Sequence, residues 1–232
     1  MIILLQGRLR SVRLPGKGFF TFFGQTLWER VCDIALAVRG VEKVVFTTGD
    51  LPENQLMRQL VEAKGVTFFV GSEGNVLERF CRAIDGYGGE YMVRLTCDNY
   101  LIQPEVIEGL YESTRKQNAD YGYVKPLSHY AGEVIRCESL RRCLAGRPSA
   151  QAEEHVTWDI RESPEYSKVA ETEDFMGLEH SHSLTLDTLD DLITMKQLEW
   201  SCPGLKPVRC LSALRKCPRI GSVSMPQHEQ IR

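Results

Sequence analysis

The alternation of short apolar runs with amphipathic segments constrains the fold of this chain most strongly. Four short, nearly all-apolar runs predict buried strands: Ile2–Leu5, Lys43–Thr47, Thr67–Val70 and Tyr91–Thr96. The segments that follow them carry apolar residues at three- and four-residue spacing, which predicts helices over Gln25–Val38, Glu53–Lys64, Val76–Tyr87 and Pro104–Lys116. This order is typical of an α/β fold with a doubly wound, mostly parallel sheet, in which ligands bind at the carboxyl ends of the strands.

The middle of the chain is less regular and predicts a small antiparallel excursion over about residues 121–167. Its expected elements are two strands and two short helices: Tyr121–Lys125, Gly132–Arg136, Glu138–Ala145 and Glu153–Glu162.

A return to the main sheet is expected after the excursion. A last strand, Ser183–Leu186, leads into a helix over Leu189–Trp200, with Thr188 as its N-cap and Asp191 three residues further on. We expect one domain over residues 1–201. The proline-punctuated tail, residues 202–232, is expected to be a surface segment or a partner-binding arm, disordered near its end.

Composition excludes several functional classes. The 232 residues include 28 basic and 31 acidic side chains, so the net charge of −3 provides no overall field for a nucleic acid or a membrane surface. No apolar run approaches the roughly 20 residues that span a bilayer. The eight cysteines form no C-x-x-C pair, which argues against a zinc site or a disulfide scaffold and predicts a cytoplasmic protein.

A basic loop directly follows the first predicted strand. The segment Gln6–Lys17, QGRLRSVRLPGK, carries four cations among glycine, serine and proline: Arg8, Arg10, Arg13 and Lys17. Glycines let backbone N–H groups approach phosphate oxygens and the cations neutralise them, so the loop predicts a polyanion site. The spacing is not that of a Walker P-loop. The alternative is a solvated basic loop that pairs with local carboxylates.

Five ordered blocks carry a family resemblance over roughly residues 1–200. They are QGRLRSVRLPGK (6–17), GSEGNVLERF (71–80), VRLTCDNYLIQPEVI (93–107), EEHVT (153–157) and LTLDTLDDL (184–192). Together they resemble the spore-coat polysaccharide biosynthesis protein F-like cytidylyltransferases, part of the wider group of CMP-sugar synthetases. The resemblance implies a Rossmann-like nucleotide-diphospho-sugar transferase fold. It also implies transfer of CMP from CTP to the hydroxyl of an acidic acceptor, with Mg²⁺ and release of pyrophosphate.

The resemblance also implies roles for residues around the nucleotide. Asp98 and Asp187 would hold the metal, although each has an alternative role in a turn or at a helix N-terminus. Arg8, Lys17 and Asp98 are the catalytic candidates. The nucleotide-binding candidates are Gln6, Gly7, Arg8, Ser11, Arg13, Lys17, Gly71 and Ser72. Arg79 is left open between the site and a helix surface.

The acceptor side departs from the family pattern. Cys97 replaces the usual glycine before Asp98, and the family's G-L-D-V-E-V becomes HYAGEV near residues 128–134, losing its aspartate. We therefore expect the acceptor to be either the sugar acid that the resemblance implies or a phosphorylated or phosphonate compound. The substrate-binding candidates are Arg94, Lys125, His129, Tyr130 and His155. Arg94 lies in a buried strand and needs a carboxylate or phosphate partner, and His155 is either an acceptor ligand or a structural histidine.

Two other functions stay open at this point. A nucleotide-sugar-dependent glycosyltransferase would want a D-x-D metal motif, which Cys97-Asp98-Asn99 does not supply. A non-catalytic CTP-binding module would use the tail for a partner. In the family the excursion often helps dimerisation, so a homodimer is also expected.

Overall fold

The computed structural model describes residues 1–125, 132–172 and 185–201. Its strands in chain order are β1 (Ile2–Gln6), β2 (Thr21–Phe22), β3 (Gln25–Thr26), β4 (Lys43–Gly49), β5 (Thr67–Gly71), β6 (Tyr91–Thr96), β7 (Tyr121–Lys125), β8 (Glu133–Arg136) and β9 (Lys168–Thr172). Its helices are α1 (Leu27–Ala37), α2 (Arg58–Ala63), α3 (Val76–Tyr87), α4 (Pro104–Lys116), α5 (Cys137–Ala145), α6 (Ala150–His155), α7 (Trp158–Glu162) and α8 (Leu189–Ser201). Two 3₁₀ turns cover Lys17–Phe19 and Pro52–Met57.

Seven strands form one mixed sheet, in the order β5-β4-β1-β6-β8-β7-β9. The four strands β5, β4, β1 and β6 are parallel, whereas β8 runs antiparallel to both β6 and β7. This confirms the predicted doubly wound, mostly parallel sheet with an antiparallel excursion. Strand β9, which pairs in parallel with β7 at the edge, was not predicted from the sequence.

The core has a layer on each face of this sheet. Alternate residues of β1 divide between them, because Ile3 and Leu5 pack with α1 and α4 on one face while Ile2 and Leu4 pack with α3, α5 and α6 on the other. Within the described ranges, no helix is both long and apolar enough to cross a bilayer.

Local chemistry explains where two predicted helices differ from the observed ones. Helix α1 begins at Leu27 because Gln25–Thr26 pairs with Thr21–Phe22 as a hairpin, and Thr26 and Glu29 then form a capping box. The helix predicted over Glu53–Lys64 begins as the 3₁₀ turn Pro52–Met57 and becomes α-helical only at Arg58.

A strained residue divides the helix predicted over Glu153–Glu162. Val156 has φ +58°, a positive value that is unusual for a β-branched residue, and it separates α6 from α7. The predicted strand Ser183–Leu186 lies partly outside the described residues, and Thr185 and Leu186 are not in a strand. The predicted tail, 202–232, also lies outside them.

Candidate active site

A cleft of about 360 Å³ lies at the carboxyl ends of the central strands β1 and β6. The structure brings together nine of the predicted site residues along its lining: Gln6, Gly7, Arg8, Ser11, Arg13, Lys17, Asp98, His155 and Asp187. This is the edge at which the parallel part of the sheet is expected to bind a ligand.

Lys17 joins the two aspartates that the sequence picks out. Its Nζ donates to Oδ2 of Asp98 and to Oδ1 of Asp187, each at 2.8 Å. The turn after β6 holds Asp98, and the backbone N–H of Leu186 donates to the carbonyl oxygen of Asp98 at 2.8 Å. That bond fixes the segment before α8 against β6 and so sets Asp187 beside Asp98.

The N-terminal cap of α8 holds the backbone at Asp187 and at the residue after it. The side chain of Asp191 accepts from the N–H groups of Asp187 and Thr188, at 2.9 and 2.7 Å, and Thr188 Oγ1 accepts from the N–H of Asp191 at 3.3 Å. The predicted N-cap at Thr188 is therefore confirmed.

The charge on Asp187 is stabilised by cations. Burial disfavours its ionised form, but the hydrogen bond and charge of Lys17, together with the charge of Arg13, outweigh burial and hold the pKa of Asp187 below its ordinary value. Arg13 Nη2 lies 3.0 Å from the same carboxylate.

The basic loop follows a path that keeps its cations at the cleft mouth. Asn54 Oδ1 accepts from the N–H of Leu9 at 3.1 Å, and Ser11 Oγ accepts from the N–H of Leu14 at 3.3 Å. Gly7 is required at the start of the loop, because a Cβ there would lie 2.4 Å from the Phe46 ring.

The cations of the loop face carboxylates in this structure. Arg8 lies 3.8 Å from Glu73, and Arg10 pairs with Glu53 outside the cleft. The arginine side chains remain more than half exposed, at 52% for Arg8 and 64% for Arg13, so these pairs contribute little stability and leave the guanidinium groups accessible. The loop therefore does pair with local carboxylates, as the alternative interpretation expected, but Arg8 and Arg13 still line the cleft and can reach a ligand.

Arg79, which the sequence left open, lines the cleft as a buried cation. It is 3% exposed, its Nη1 donates to the carbonyl oxygen of Ser72 at 2.7 Å, and its Nε has no partner among the described residues. Burial lowers its pKa to about 10. Gly71 allows this packing, because a Cβ there would lie 2.7 Å from Arg79 Cγ.

Other predicted residues lie outside this lining. Gly71 ends β5 and Ser72 follows it, and both contact Arg79. Lys125 lies over the Tyr123 ring in a separate cavity of about 540 Å³. His129 and Tyr130 lie outside the described residues. Arg94 has the carboxylate partner that its burial required, because it pairs with Glu133 of β8.

Sequence reasoning missed the carboxylates Glu73 and Glu154, which also line the cleft. Glu133 was missed as well, although it is 5% exposed. The signal that could have identified Glu133 was its position as an acidic residue in a predicted strand. A buried acidic residue needs a cationic partner, and Arg94 in another buried strand was available.

The cleft offers a metal ion the carboxylates of Asp98 and Asp187. No group of three or more histidine, cysteine or acidic side chains suited to a metal ion occurs among the described residues. The Lys17 ammonium marks the point between Asp98 and Asp187 that a cation can occupy. Two carboxylates fit Mg²⁺, which keeps several waters and takes further ligands from substrate phosphates.

Comparisons with known proteins identify relatives over most of the chain. A family model described as cytidylyltransferase matches residues 2–201. The spore coat polysaccharide biosynthesis protein SpsF of Bacillus subtilis (strain 168) is 30% identical over 210 residues, which cover 85% of each chain.

Solved structures share the fold. A cytidylyltransferase from Leptospira borgpetersenii serovar Hardjo-bovis superposes with a TM-score of 0.83 at 20% identity, covering 98% of this chain and 99% of that one. A CMP:2-keto-3-deoxy-manno-octonic acid synthetase complexed with CTP gives 0.66 at 17% identity, covering 86% and 98%.

Proposed function

Because the chain belongs to the cytidylyltransferase family, we propose that it transfers CMP from CTP to an acidic acceptor and releases pyrophosphate, in the biosynthesis of a surface polysaccharide or a related compound. The observation that carries this proposal is the convergence of Lys17, Asp98 and Asp187 beneath the basic loop. That arrangement supports the proposal because it offers a cation and two carboxylates, suited to holding a metal ion, beside the loop expected to bind a triphosphate.

The basic loop would hold the triphosphate. Arg8, Arg13 and Lys17 can each leave an acidic partner and donate to phosphate oxygens, with Ser11 beside them. Because negative charge grows on the pyrophosphate as the bond to the α-phosphorus breaks, fixed cations at this point stabilise the transition state more than the bound substrate.

Asp98 and Asp187 would hold Mg²⁺, which, when bound, supplies positive charge to the phosphate oxygens. The charge balance of the lining supports this assignment. Four cations of the cleft are matched by four carboxylates: Arg8, Arg13, Lys17 and Arg79 against Glu73, Asp98, Glu154 and Asp187. A triphosphate added to such a balanced site needs further positive charge.

The acceptor oxygen would attack the α-phosphorus in line with the departing pyrophosphate. His155 and Glu154, at the end of α6, also line the cleft and are available to orient the acceptor. The acceptor class is a sugar acid, or a phosphorylated or phosphonate compound.

The test is pyrophosphate release with each of the four nucleoside triphosphates and Mg²⁺, against a panel of acidic sugars, phosphosugars and phosphonates. We expect release with CTP and one acceptor class. Asp98→Ala and Lys17→Ala are each expected to reduce release by at least about 100-fold while the protein stays folded. Lys64→Ala removes a similar lysine–aspartate pair outside the cleft, with Asp33 at 2.9 Å, and should keep full activity.

Two results would contradict the proposal. Release that survives Asp98→Ala would remove the central residue. A rise in melting temperature with CTP, combined with no release across the panel, would instead indicate a nucleotide-binding module. We also propose that the protein is cytoplasmic and forms a homodimer. Light scattering during size-exclusion chromatography tests the homodimer, and cell fractionation tests the location.

A further inference from the structure

A buried carboxylate lies under the cleft and is linked to it by a chain of hydrogen bonds. Glu133 of β8 accepts on Oε1 from the Tyr121 hydroxyl at 2.5 Å and from Thr157 Oγ1 at 2.8 Å, and on Oε2 from Arg94 Nη1. Arg94 Nε donates in turn to Gln6 Oε1 at 2.9 Å. Gln6 lines the cleft, so the chain of bonds runs from the core of the sheet to its ligand-binding edge.

Both charged groups of this network are removed from water. Glu133 is 5% exposed and the Arg94 side chain 13% exposed. Burial disfavours the charge of Glu133, but the charge of Arg94 and the hydrogen bonds from Tyr121, Thr157 and Arg94 outweigh burial and lower its pKa. A buried ion pair of this kind costs desolvation energy that an apolar pair of the same shape would not, so its presence needs an explanation beyond stability.

The explanation lies in the orientation of Gln6. An arginine can only donate hydrogen bonds, so the side-chain oxygen of Gln6 must face Arg94. Its NH₂ group is then the end left for the cleft, and it has no partner among the described residues. The network thereby converts a side chain that could donate or accept into one that only donates.

We propose that Glu133 is a positioning residue for the nucleotide: by holding Arg94, it fixes Gln6 so that the Gln6 amide donates a hydrogen bond to an acceptor atom of CTP. This inference rests on the proposed function, because it takes CTP as the occupant of the cleft. Glu133 itself touches no ligand, and its effect passes through Arg94 and Gln6.

A double-mutant cycle separates positioning from simple stabilisation. Four proteins are compared by calorimetric titration with CTP and Mg²⁺: the wild type, Glu133→Gln, Gln6→Met and the double variant. Gln6→Met keeps the length of the side chain and removes the donor. Each single substitution is expected to weaken CTP binding by about tenfold, the value of one hydrogen bond in a polar site.

Coupling is the decisive readout. If Glu133 acts through Gln6, Glu133→Gln should weaken binding less than about twofold in the Gln6→Met background, because the group that it positions is already gone. Glu108→Gln is the matched control. It breaks a carboxylate–arginine contact with Arg39 outside the cleft, at a carboxylate that is also buried, and should leave CTP binding unchanged.

Each outcome distinguishes the inference from the proposed function. Equal losses from Glu133→Gln in both backgrounds, or no loss in either, would overturn the inference alone. A folded wild type that binds no CTP would overturn the proposed function and the inference with it. Should Glu133→Gln fail to fold, Arg94→Lys in the same two backgrounds gives the same cycle, because lysine can still neutralise Glu133 but lacks the fork that reaches both partners.

Discussion

Two cations hold the charge of Asp187, and this gives the residue a defined pH dependence. Its folded pKa is lowered, chiefly because Lys17 outweighs the effect of burial. A carboxylate of this kind stabilises the fold fully above its unfolded pKa of about 3.9, and the contribution is lost as the pH falls through the lower folded value.

We therefore expect Asp187→Asn to lower the free energy of unfolding by about 1 kcal/mol at pH 7, and by progressively less below about pH 4. Urea unfolding across this range measures the difference. Glu62→Gln, which removes an exposed pair with Arg58 on α2, serves as the control and should cost less than about 0.5 kcal/mol. A cost for Asp187→Asn that is the same at pH 7 and pH 3 would contradict the assignment.

The sequence predicted which residues carry charge at the cleft better than it predicted their partners. Asp98 follows the carboxyl end of β6, and topology alone brings the ends of parallel strands to one edge. Among the described residues, Lys17 and Asp187 follow no strand directly, and they were predicted from the motifs that carry the family resemblance. The Glu133–Arg94–Gln6 network could not be predicted in this way, because it depends on the register that sets Arg94 opposite Glu133 between β6 and β8. Register between strands so far apart in the chain leaves no local signal.

At the scale of the elements, α4 and the strand β7 on which it packs each contain a glycine, and substituting the two is expected to change stability in opposite directions. Gly109 is exposed in the middle of α4, and a Cβ there would meet nothing within 4 Å. Gly122 in β7 faces α4, and a Cβ there would lie 1.9 Å from Thr114 Oγ1.

Gly109→Ala should therefore raise the free energy of unfolding by about 0.5–1 kcal/mol, because alanine loses less backbone entropy in a helix. Gly122→Ala should lower it by about 1–3 kcal/mol, because the helix must move off the strand. Thermal and urea unfolding of the two variants check the pair, each serving as the other's control. Stabilisation by Gly122→Ala would show that α4 does not pack closely here.

The strands that could be predicted from the sequence are those with a clear pattern of apolar residues. The strands β1, β4, β5 and β6 are nearly continuous apolar runs, whereas β9 (KVAET) has little apolar alternation and lies at the sheet edge. The break at Val156 has no local signal either, because tertiary contacts hold its unusual backbone. Val156 is fully buried, and the hydroxyl of the next residue, Thr157, donates to Glu133 of β8 at 2.8 Å.

Across the whole molecule, helix α8 anchors the hairpin that follows the basic loop. Glu199 Oε1 accepts from the N–H of Phe23 at 2.6 Å, and Lys196 Nζ donates to the carbonyl oxygen of Thr21 at 2.5 Å. The hairpin directly follows the turn that carries Lys17, so α8 fixes the position of Lys17 as well as that of Asp187.

Glu199→Ala should lower the free energy of unfolding by about 1–2 kcal/mol and weaken CTP binding several-fold, because the N–H of Phe23 loses its acceptor and Lys196 loses its ion pair. Urea unfolding and calorimetry measure the two effects. Ile193→Ala, on an exposed position of the same helix, should change neither by much. Unchanged CTP binding in a destabilised Glu199→Ala would separate the hairpin from the cleft.

The bond between Lys17 and Asp187 has a consequence for when the cleft can form during synthesis on the ribosome. Its partners are 170 residues apart, so the basic loop leaves the ribosome long before the segment that completes the site. Since a nascent domain can form a contact only when both partners have emerged, all nine strands in the described part of the chain are synthesised before Lys17 can meet Asp187. The cleft can therefore be completed only after all these strands have been synthesised, so an intact Lys17–Asp187 contact requires nearly the whole domain to have emerged.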